Sequence, residues 1–378
     1  MRQSRAKLLG QKPIIPAVCE GPGEPGLVSV LIPTHNRDYI LKDAIDSVLT
    51  QTYRQIEVIV VDDGSTDKTR SLVEKIGPPV RYIYQENAGL APARNTGLAA
   101  ARGEFIALQD SDDFWTPWKL EVQVALMRRF PALALVWTDM NAIDPSRKVL
   151  RENYLRDMYS AYQTIDHDAT FPNKGLIGDV CPDVPPEIAQ CEYRYGEIFS
   201  AMFLGNLVHP PTALMRRDAV RQAGGLDVTH NWAAEDYEFF WRVSEFGLGA
   251  VVEAPGMLYR VGGEDQLTGG PSRRLESATA RGYLVAIQRQ LERNRDRIDL
   301  PDSVIRRTMA EAYAWIAEDE LMSPDGDRAA GYFWKSLRLR PFQKRALMLF
   351  PFSLIPRPMF RWARSIKQRL SGTVPPRG

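Results

Sequence analysis

The chain has 378 residues, 44% of them hydrophobic and 25% charged, with a formal net charge of +1. That is ordinary globular material, enough for one large domain with an appendage or for two domains, and it excludes a disordered or low-complexity polymer. Three cysteines, Cys19, Cys181 and Cys191, form neither a CxxC pair nor a spaced framework, which argues against structural zinc or a disulfide scaffold and for a reducing compartment.

The first 26 residues are polar, rich in Pro and Gly and without the apolar core of a signal peptide, and read as a flexible leader. Gly21 to Gly26 formally matches GxGxxG, but it precedes the first strand instead of following one, so it predicts no phosphate loop. Leu27 to Ile32 predicts a strand, and Asp38 to Thr52 a helix on the spacing of Ile40, Leu41, Ala44, Ile45, Val48 and Leu49. Ile56 to Val61 is a continuous apolar strand of the kind buried on both faces. A helix over Thr69 to Ile76, a strand over Val80 to Tyr84, a helix over Ala91 to Ala101, a strand over Gly103 to Leu108 and a helix over Pro117 to Arg129 follow. Four strand–helix alternations predict an α/β fold with a doubly wound, mostly parallel sheet flanked by helices.

Residues 144–194, crowded with Pro172, Pro182, Pro185 and Pro186, read as an insertion that shapes an acceptor site. Helices are then expected over Tyr195 to Leu204, Asp218 to Ala223 and Glu235 to Glu245, and strands over Leu248 to Glu253 and Met257 to Val261. From Ser277 the pattern is helical: 278–293, 303–321 and 327–339, the last resembling half of a tetratricopeptide-like pair or of a plain helical hairpin. The expected layout is therefore leader 1–26, domain 27–270, C-terminal helical extension 271–341 and a basic amphipathic tail 342–378. Twelve of the 48 Lys and Arg residues and none of the 47 Asp and Glu lie from Arg328 onward. An acidic body thus carries a basic end, which suits either an anionic surface or a solvated terminus. No window approaches the roughly 18 apolar residues of a membrane span. The aromatic and basic residues between Phe342 and Leu370 suit the plane of a membrane interface, or a helix packed on the protein itself.

The chemistry gathers at predicted strand ends. Pro33-Thr34-His35-Asn36-Arg37, Asp62-Asp63-Gly64-Ser65-Thr66-Asp67 and Asp110-Ser111-Asp112-Asp113 each follow an apolar strand, with Glu86-Asn87-Ala88-Gly89 and Arg94-Asn95 between the last two. Each alone is ordinary turn composition, and Asp112 or Asp113 also suits the N-cap of the next helix. Together they predict one polar mouth at the carboxyl edge of the sheet, where open α/β sheets bind nucleotides. Asp-x-Asp there suits Mg²⁺ or Mn²⁺, since hard cations take oxygen ligands.

In order along 27–262, the segments Val30–Arg37, Gln51-Thr52-Tyr53, Val60–Asp67, Glu86–Gly89, Ala93–Gly97, Asp110–Asp113, Gly224-Gly225-Leu226-Asp227 and Glu235-Asp236 resemble the family-2 glycosyltransferases of the GT-A fold. The resemblance implies an inverting transfer from a nucleotide-diphosphate sugar to a hydroxyl of a glycan or lipid-linked acceptor, in surface polysaccharide biosynthesis. It implies Asp236 as general base, with Glu235 orienting it or serving the helix dipole. Asp112, aided by Asp110, would hold Mn²⁺ or Mg²⁺. Asp62 and Asp63 would meet the base, Pro33 and His35 would line the nucleoside pocket, and Arg37, Asn87 and Gly89 would complete the donor site, with Arg94 either a second cation near the phosphates or a structural ion pair. UDP is the nucleotide of family habit. Trp232 is a candidate sugar platform or core residue.

Two departures qualify the resemblance. The His that many relatives carry after the Tyr259-Arg260 position is replaced by Val261-Gly262-Gly263-Glu264-Asp265-Gln266, leaving Gln266 or backbone for that contact. His209-Pro210-Pro211 stands where a Ser/Thr-rich pattern is usual, so His209 is either an acceptor contact or a satisfied core histidine. The expected location is cytoplasmic, with the basic tail at an anionic inner leaflet and no nucleic-acid partner. The other open reading is a catalytically silent glycan- or nucleotide-binding module.

Overall fold

A computed structural model of the chain describes residues 14–229, 234–262, 273–323 and 328–355. The chain divides into two units, residues 1–270 and 271–378. The first unit is built on one sheet. Its amino-terminal half runs β1 Glu24–Thr34, α1 Leu41–Leu49, β2 Ile56–Asp63, α2 Thr69–Ile76, β3 Val80–Gln85, α3 Leu90–Ala100, β4 Gly103–Leu108, β5 Phe114–Trp115 and α4 Lys119–Arg129. The second half runs β6 Leu133–Ile143, β7 Val149–Arg151, three single-turn helices (α5 Leu155–Met158, α6 His167–Thr170, α7 Pro186–Ala189), β8 Asn173–Leu176, β9 Glu192–Gly196, β10 Ala213–Arg216, α8 Arg217–Ala223, α9 Glu235–Val243 and β11 Leu248–Arg260.

The sheet order is β3-β2-β1-β4-β10-β6-β11-β9-β8. The first four strands are parallel, β10 is antiparallel to both β4 and β6, and β11 is parallel to β6. Val58 to Val61 and Phe105 to Leu108 are buried at 0–1% exposure, as expected of strands covered by helices on both faces. Because β1 pairs with β2 on one side and β4 on the other, the chain reverses direction across the sheet at β1. Open α/β sheets bind ligands in the crevice outside the carboxyl ends of the strands at such a point. The register sets Thr34 beside Asp62, and Leu31 beside Leu108.

Several expectations are corrected. The helix expected over 195–204 is instead the end of β9 followed by a 3₁₀ turn at Ala201–Leu204. Tyr195 and Tyr193 pair with Ala250 and Val252 of β11, and sheet pairing overrides the helical spacing of Ile198, Phe199, Met202 and Phe203. The two strands expected over 248–261 are one strand, β11, whose register shifts around Pro255, a residue without an N–H to give the ladder. Strands β6 and β10 were not anticipated, although β6 is a nearly continuous buried run. Residues 144–194 contribute β7, β8 and part of β9. Residues 14–26, expected within a leader, are docked: Val18 and Cys19 are buried, the Ile14 N–H donates to Asp227 Oδ1 at 3.0 Å, and β1 already begins at Glu24. Neither Asp112 nor Asp113 caps a helix, because β5 intervenes and α4 starts after Trp118.

The second unit is helical: α10 Arg273–Asn294, α11 Asp302–Met322, α12 Ala329–Leu339 and α13 Lys344–Ser353. α11 and α12 form an antiparallel hairpin, with Ser336 Oγ donating to Ala310 O at 2.7 Å and Tyr313 stacked near Tyr332. No described helix is long and apolar enough to cross a membrane.

Candidate active site

The loops after β1 and β2 interlock. The Asn36 N–H donates to Ser65 Oγ and the Thr66 N–H to Asn36 Oδ1, both at 2.8 Å, while the Asp38 N–H donates to Asp67 Oδ2 at 3.0 Å. Asn36 takes a left-handed φ of 52°, a conformation Asn tolerates better than most residues. Asp63 organises the next loop. Its Oδ1 accepts from Gln85 Nε2 (2.6 Å) and the Ala88 N–H (2.9 Å), and its Oδ2 from the Gly89 N–H (2.8 Å). Asp62 accepts from Tyr82 Oη at 2.7 Å and the Ser65 N–H at 2.8 Å. His35 lies over this turn, Nδ1 2.8 Å from Asp63 O and 3.2 Å from Asn87 Nδ2. Pro33 is buried in β1 opposite Val61. Pro33, His35, Asp62, Asp63, Asn87 and Gly89 therefore share one mouth. A carboxylate offers about four lone-pair sites, so Asp62 and Asp63 keep capacity beyond these bonds.

The second cluster follows β4. Arg94 on α3 is 2% exposed. Its Nη2 donates to Asp110 Oδ1 at 2.9 Å and its Nη1 lies 3.6 Å from Glu235 Oε1. This guanidinium links the Asp110 end of the mouth to the Glu235-Asp236 pair, which opens α9 behind Ala234, itself at φ 67°. Asp112 is gripped by Arg37 (Nη1 to Oδ2, 2.8 Å), with Arg260 Nη2 at 3.7 Å. Asp113 is buried, and its Oδ1 accepts from the Arg260 N–H at 3.0 Å. That bond exists because β5 pairs with Met257 and Leu258 of β11, which carries Arg260 back over the Asp-rich loop.

Burial pushes the Asp113 carboxyl well above its ordinary range, with Asp112 and Asp110 pushing the same way. Burial also raises Asp112, against the Arg37 charge. Glu235 rises to about 7, through burial and then the Asp236 charge, with Arg94 opposing. Burial raises Asp236 as well, again opposed by Arg94. Five carboxylates (110, 112, 113, 235 and 236) thus share three guanidiniums (37, 94 and 260), an excess of acid that a divalent cation would balance.

His209 stands over this loop. It is buried, which lowers its pKa to about 4 and keeps the ring neutral. Nδ1 lies 3.0 Å from Tyr159 Oη, and the ring meets Tyr259 edge-on at 5.1 Å between centroids. Its Nε2 has no hydrogen-bond partner. One donor atom each from Asp110, Asp113 and His209 lie within 4.8 Å of one another. Oxygen and imidazole donors in such a group fit Mn²⁺ or Mg²⁺ with an added nitrogen.

Most residues expected in the site are thus brought together. Asp112 is turned to guanidiniums, while Asp113, Arg260 and Tyr159 enter without having been anticipated as site residues. The Asp113 carboxylate was visible in the motif, but the pairing of β5 with β11 that brings Arg260 to it has no local signal. Trp232 and Gln266 lie outside the described residues.

Residues 29–191 match the family model described as Glycosyl transferase family 2. The Escherichia coli UDP-Glc:alpha-D-GlcNAc-diphosphoundecaprenol beta-1,3-glucosyltransferase WfgD is 34% identical over 152 residues, 40% of this chain and 57% of that protein. An uncharacterized glycosyltransferase of Rickettsia typhi is 41% identical over 103 residues, 27% of this chain and 32% of that protein. The chain therefore spans between about a third and somewhat over half of these relatives. Among solved structures, S. aureus TarS 1–349 in complex with UDP-GlcNAc superposes with a TM-score of 0.55 at 18% identity, covering 89% of this chain and 87% of that one. That is a likeness of fold.

Proposed function

The chain carries a family-2 glycosyltransferase domain on a GT-A fold, and from that premise we propose that it moves a sugar from a nucleotide-diphosphate donor to an acceptor hydroxyl with inversion. The observation that carries this reading is Arg94, buried between Asp110 at the donor mouth and Glu235 beside the proposed base. One guanidinium thereby ties the place where a diphosphate leaves to the place where a proton is taken.

In the proposed reaction Asp236 accepts the acceptor O–H proton as that oxygen attacks the anomeric carbon. The bond from that carbon to the diphosphate oxygen breaks, and its electron pair leaves with the nucleoside diphosphate. Bound at the Asp-rich loop, a divalent cation supplies charge to the departing diphosphate. Arg94 and Arg37 add fixed positive charge on the same side. The spare lone pairs of Asp62 and Asp63 take N–H groups of the base, and His35, Pro33, Asn87 and Gly89 wall the nucleoside. UDP is the proposed nucleotide. WfgD, as its name states, acts on a diphosphoundecaprenol-linked sugar, and a lipid-linked acceptor in surface polysaccharide synthesis is proposed for this chain.

Such an acceptor lies in a membrane, and the second unit has a face suited to one. Along and beside α13, Phe342 is 90% exposed, Met348 63% and Leu354 62%. Lys344 and Arg345 stand among them, with no acidic residue from Arg328 onward. Apolar side chains among cations suit an anionic leaflet.

Calorimetric titration of UDP, dTDP and GDP, each with and without Mn²⁺, tests the donor. Mn²⁺-dependent binding of UDP is expected. A protein that binds none of the three under either condition is not a nucleotide-sugar transferase of this kind and fits a silent glycan-binding module.

A further inference from the structure

We propose that His209 reads a hydroxyl of the sugar being transferred, through its Nε2, and so takes part in choosing the donor. The inference rests on the nucleotide-sugar reading, since it needs a sugar bound beside the Asp-rich loop.

His209 is only 7% exposed, yet its Nε2 has no hydrogen-bond partner. A buried polar atom left so is costly and rare. Its other nitrogen is engaged, with Nδ1 3.0 Å from Tyr159 Oη. Burial keeps the ring neutral, so one nitrogen donates and the other accepts. If Nδ1 gives its hydrogen to Tyr159, Nε2 accepts; if Tyr159 gives its hydrogen to Nδ1, Nε2 donates. A hydroxyl satisfies either case, because it can do both. The ring is also held firmly. Tyr259 meets it edge-on at 5.1 Å. Thr212 Oγ1 donates to His209 O at 2.6 Å, Trp115 Nε1 to Pro211 O at 2.8 Å and Gln123 Nε2 to Thr212 O at 2.8 Å. A polar atom fixed in place with no partner in its own chain is preorganised for one from outside.

The surroundings say which hydroxyl. A ring nitrogen of His209 lies within 4.8 Å of carboxylate oxygens of Asp110 and Asp113, and the charges of Asp110 and Arg94 act on the ring. Mg²⁺ and Mn²⁺ favour oxygen ligands, which the carboxylates of the loop supply without the imidazole. In an inverting displacement the attacking oxygen and the departing diphosphate oxygen stand on opposite sides of the anomeric carbon. The transferred sugar therefore lies between the Asp-rich loop and Asp236. Arg94 bridges that span, with Nη2 2.9 Å from Asp110 Oδ1 and Nη1 3.6 Å from Glu235 Oε1. His209 borders the loop end of it, on the leaving-group side, whereas the acceptor arrives on the side of the base. A sugar hydroxyl lying there can donate to Asp110 and pair with Nε2 at once. A pocket built to bond a hydroxyl rejects sugars that lack it or point it elsewhere, because its buried polar atoms are then left unpaired.

The test is calorimetric binding of UDP, UDP-glucose, UDP-galactose and UDP-N-acetylglucosamine to the full chain, each with Mn²⁺. For the sugar nucleotide that the wild type binds best, H209A should raise Kd by about tenfold or more, the loss of one hydrogen bond. Its Kd for UDP should stay within about threefold of wild type. H209Q, whose side-chain amide reaches where Nε2 stands, should recover most of the loss, and H209F, which fills the space without a polar atom, should not. Analogues of that donor lacking one sugar hydroxyl at a time locate the contact. One removal should cost the wild type about as much as H209A does, and cost H209A nothing further. Unchanged sugar-nucleotide affinity in H209A, or additive losses at every hydroxyl, overturns the assignment while the donor reading stands. Equal loss of UDP and sugar-nucleotide affinity marks a structural role and overturns it too. So does a raised acceptor KM in H209A with donor affinity intact, which would place His209 at the acceptor. A wild type that binds none of the four ligands ends both the assignment and the donor reading.

Discussion

Asp236 and Glu235 are adjacent buried carboxyls to which the proposed reaction gives different work. Both are raised by burial, and both are moderated by Arg94. A base must be ionised to act, so turnover should fall as pH drops through the raised range of the pair. D236N keeps the shape and removes the proposed proton acceptor. Transfer should drop by about 10²- to 10⁴-fold with UDP affinity retained, and wild-type turnover in that variant would rule Asp236 out as the base. Glu235 carries a stability cost. Its folded pKa of about 7 stands above the ordinary 4.5, so the folded chain binds the proton more tightly than the unfolded one. Stability is therefore lost as pH rises from about 4.5 through 7. E235Q should be more stable than wild type at pH 8, by roughly 1–3 kcal/mol on that shift, with the gain shrinking toward pH 4.5. Melting curves at pH 5 and 8 measure it, and an equal difference at both would refute the linkage. Asp62, Asp63, Asp110 and Arg94 were legible as site residues because each follows or faces a strand end. Which carboxylate meets which guanidinium was not, because the Arg37–Asp112 and Arg260–Asp113 contacts join segments 75 and 147 residues apart.

At the level of elements, β1, β2 and β4 were readable because each is a buried apolar run closed by turn residues, and the half-exposed edge strand β3 because of its aromatic and β-branched residues. β10 was missed because four residues give too little periodicity, and β9 was mistaken for helix because its neighbours repeat at helical spacing. Gly196 shows why tertiary contact wins there: a Cβ on it would meet Thr170 O at 2.1 Å, so the segment is fitted to a close backbone approach. Gly64 plays a comparable part at the site. It follows β2 with φ +80°, and a Cβ there would stand 2.8 Å from Asn87 N and 3.0 Å from Asn87 Cβ. G64A should therefore displace Asn87, and with it the His35 contact, while β2 and β3 remain paired. Nucleotide affinity should fall about tenfold or more, corresponding to the 1–2 kcal/mol of a residue forced into left-handed backbone. Far-UV circular dichroism should be unchanged. Calorimetry with UDP decides it, and normal affinity would show that the Asn87 turn does not shape the nucleoside pocket.

Taken as a whole molecule, the chain separates charge along its length. The residues before Arg328 hold 36 Lys and Arg against 47 Asp and Glu, and those from Arg328 onward hold only cations. An acidic body does not favour an anionic membrane, so attraction to one has to come from the basic end. α13 offers more than charge. Ala346 is buried and Phe350 meets Phe333 edge-on, so one face packs on the helical unit. Leu347, Met348 and Phe352 stay exposed on the rest of the helix. A helix that only covered its own unit would not need that second apolar face, whereas an interfacial one would. Two contributions are separable by salt. Cation attraction is screened within about 8 Å at physiological ionic strength, and burial of Met348 and Phe352 is not. Sedimentation with vesicles containing phosphatidylserine should retain the full chain and release a chain lacking residues 342–378. M348S/F352S should reduce retention at 0.5 M salt more than at 0.05 M, because only the apolar contribution survives there. Undiminished sedimentation of the truncated chain would place the membrane contact elsewhere, leaving the exposed face of α13 for a protein partner.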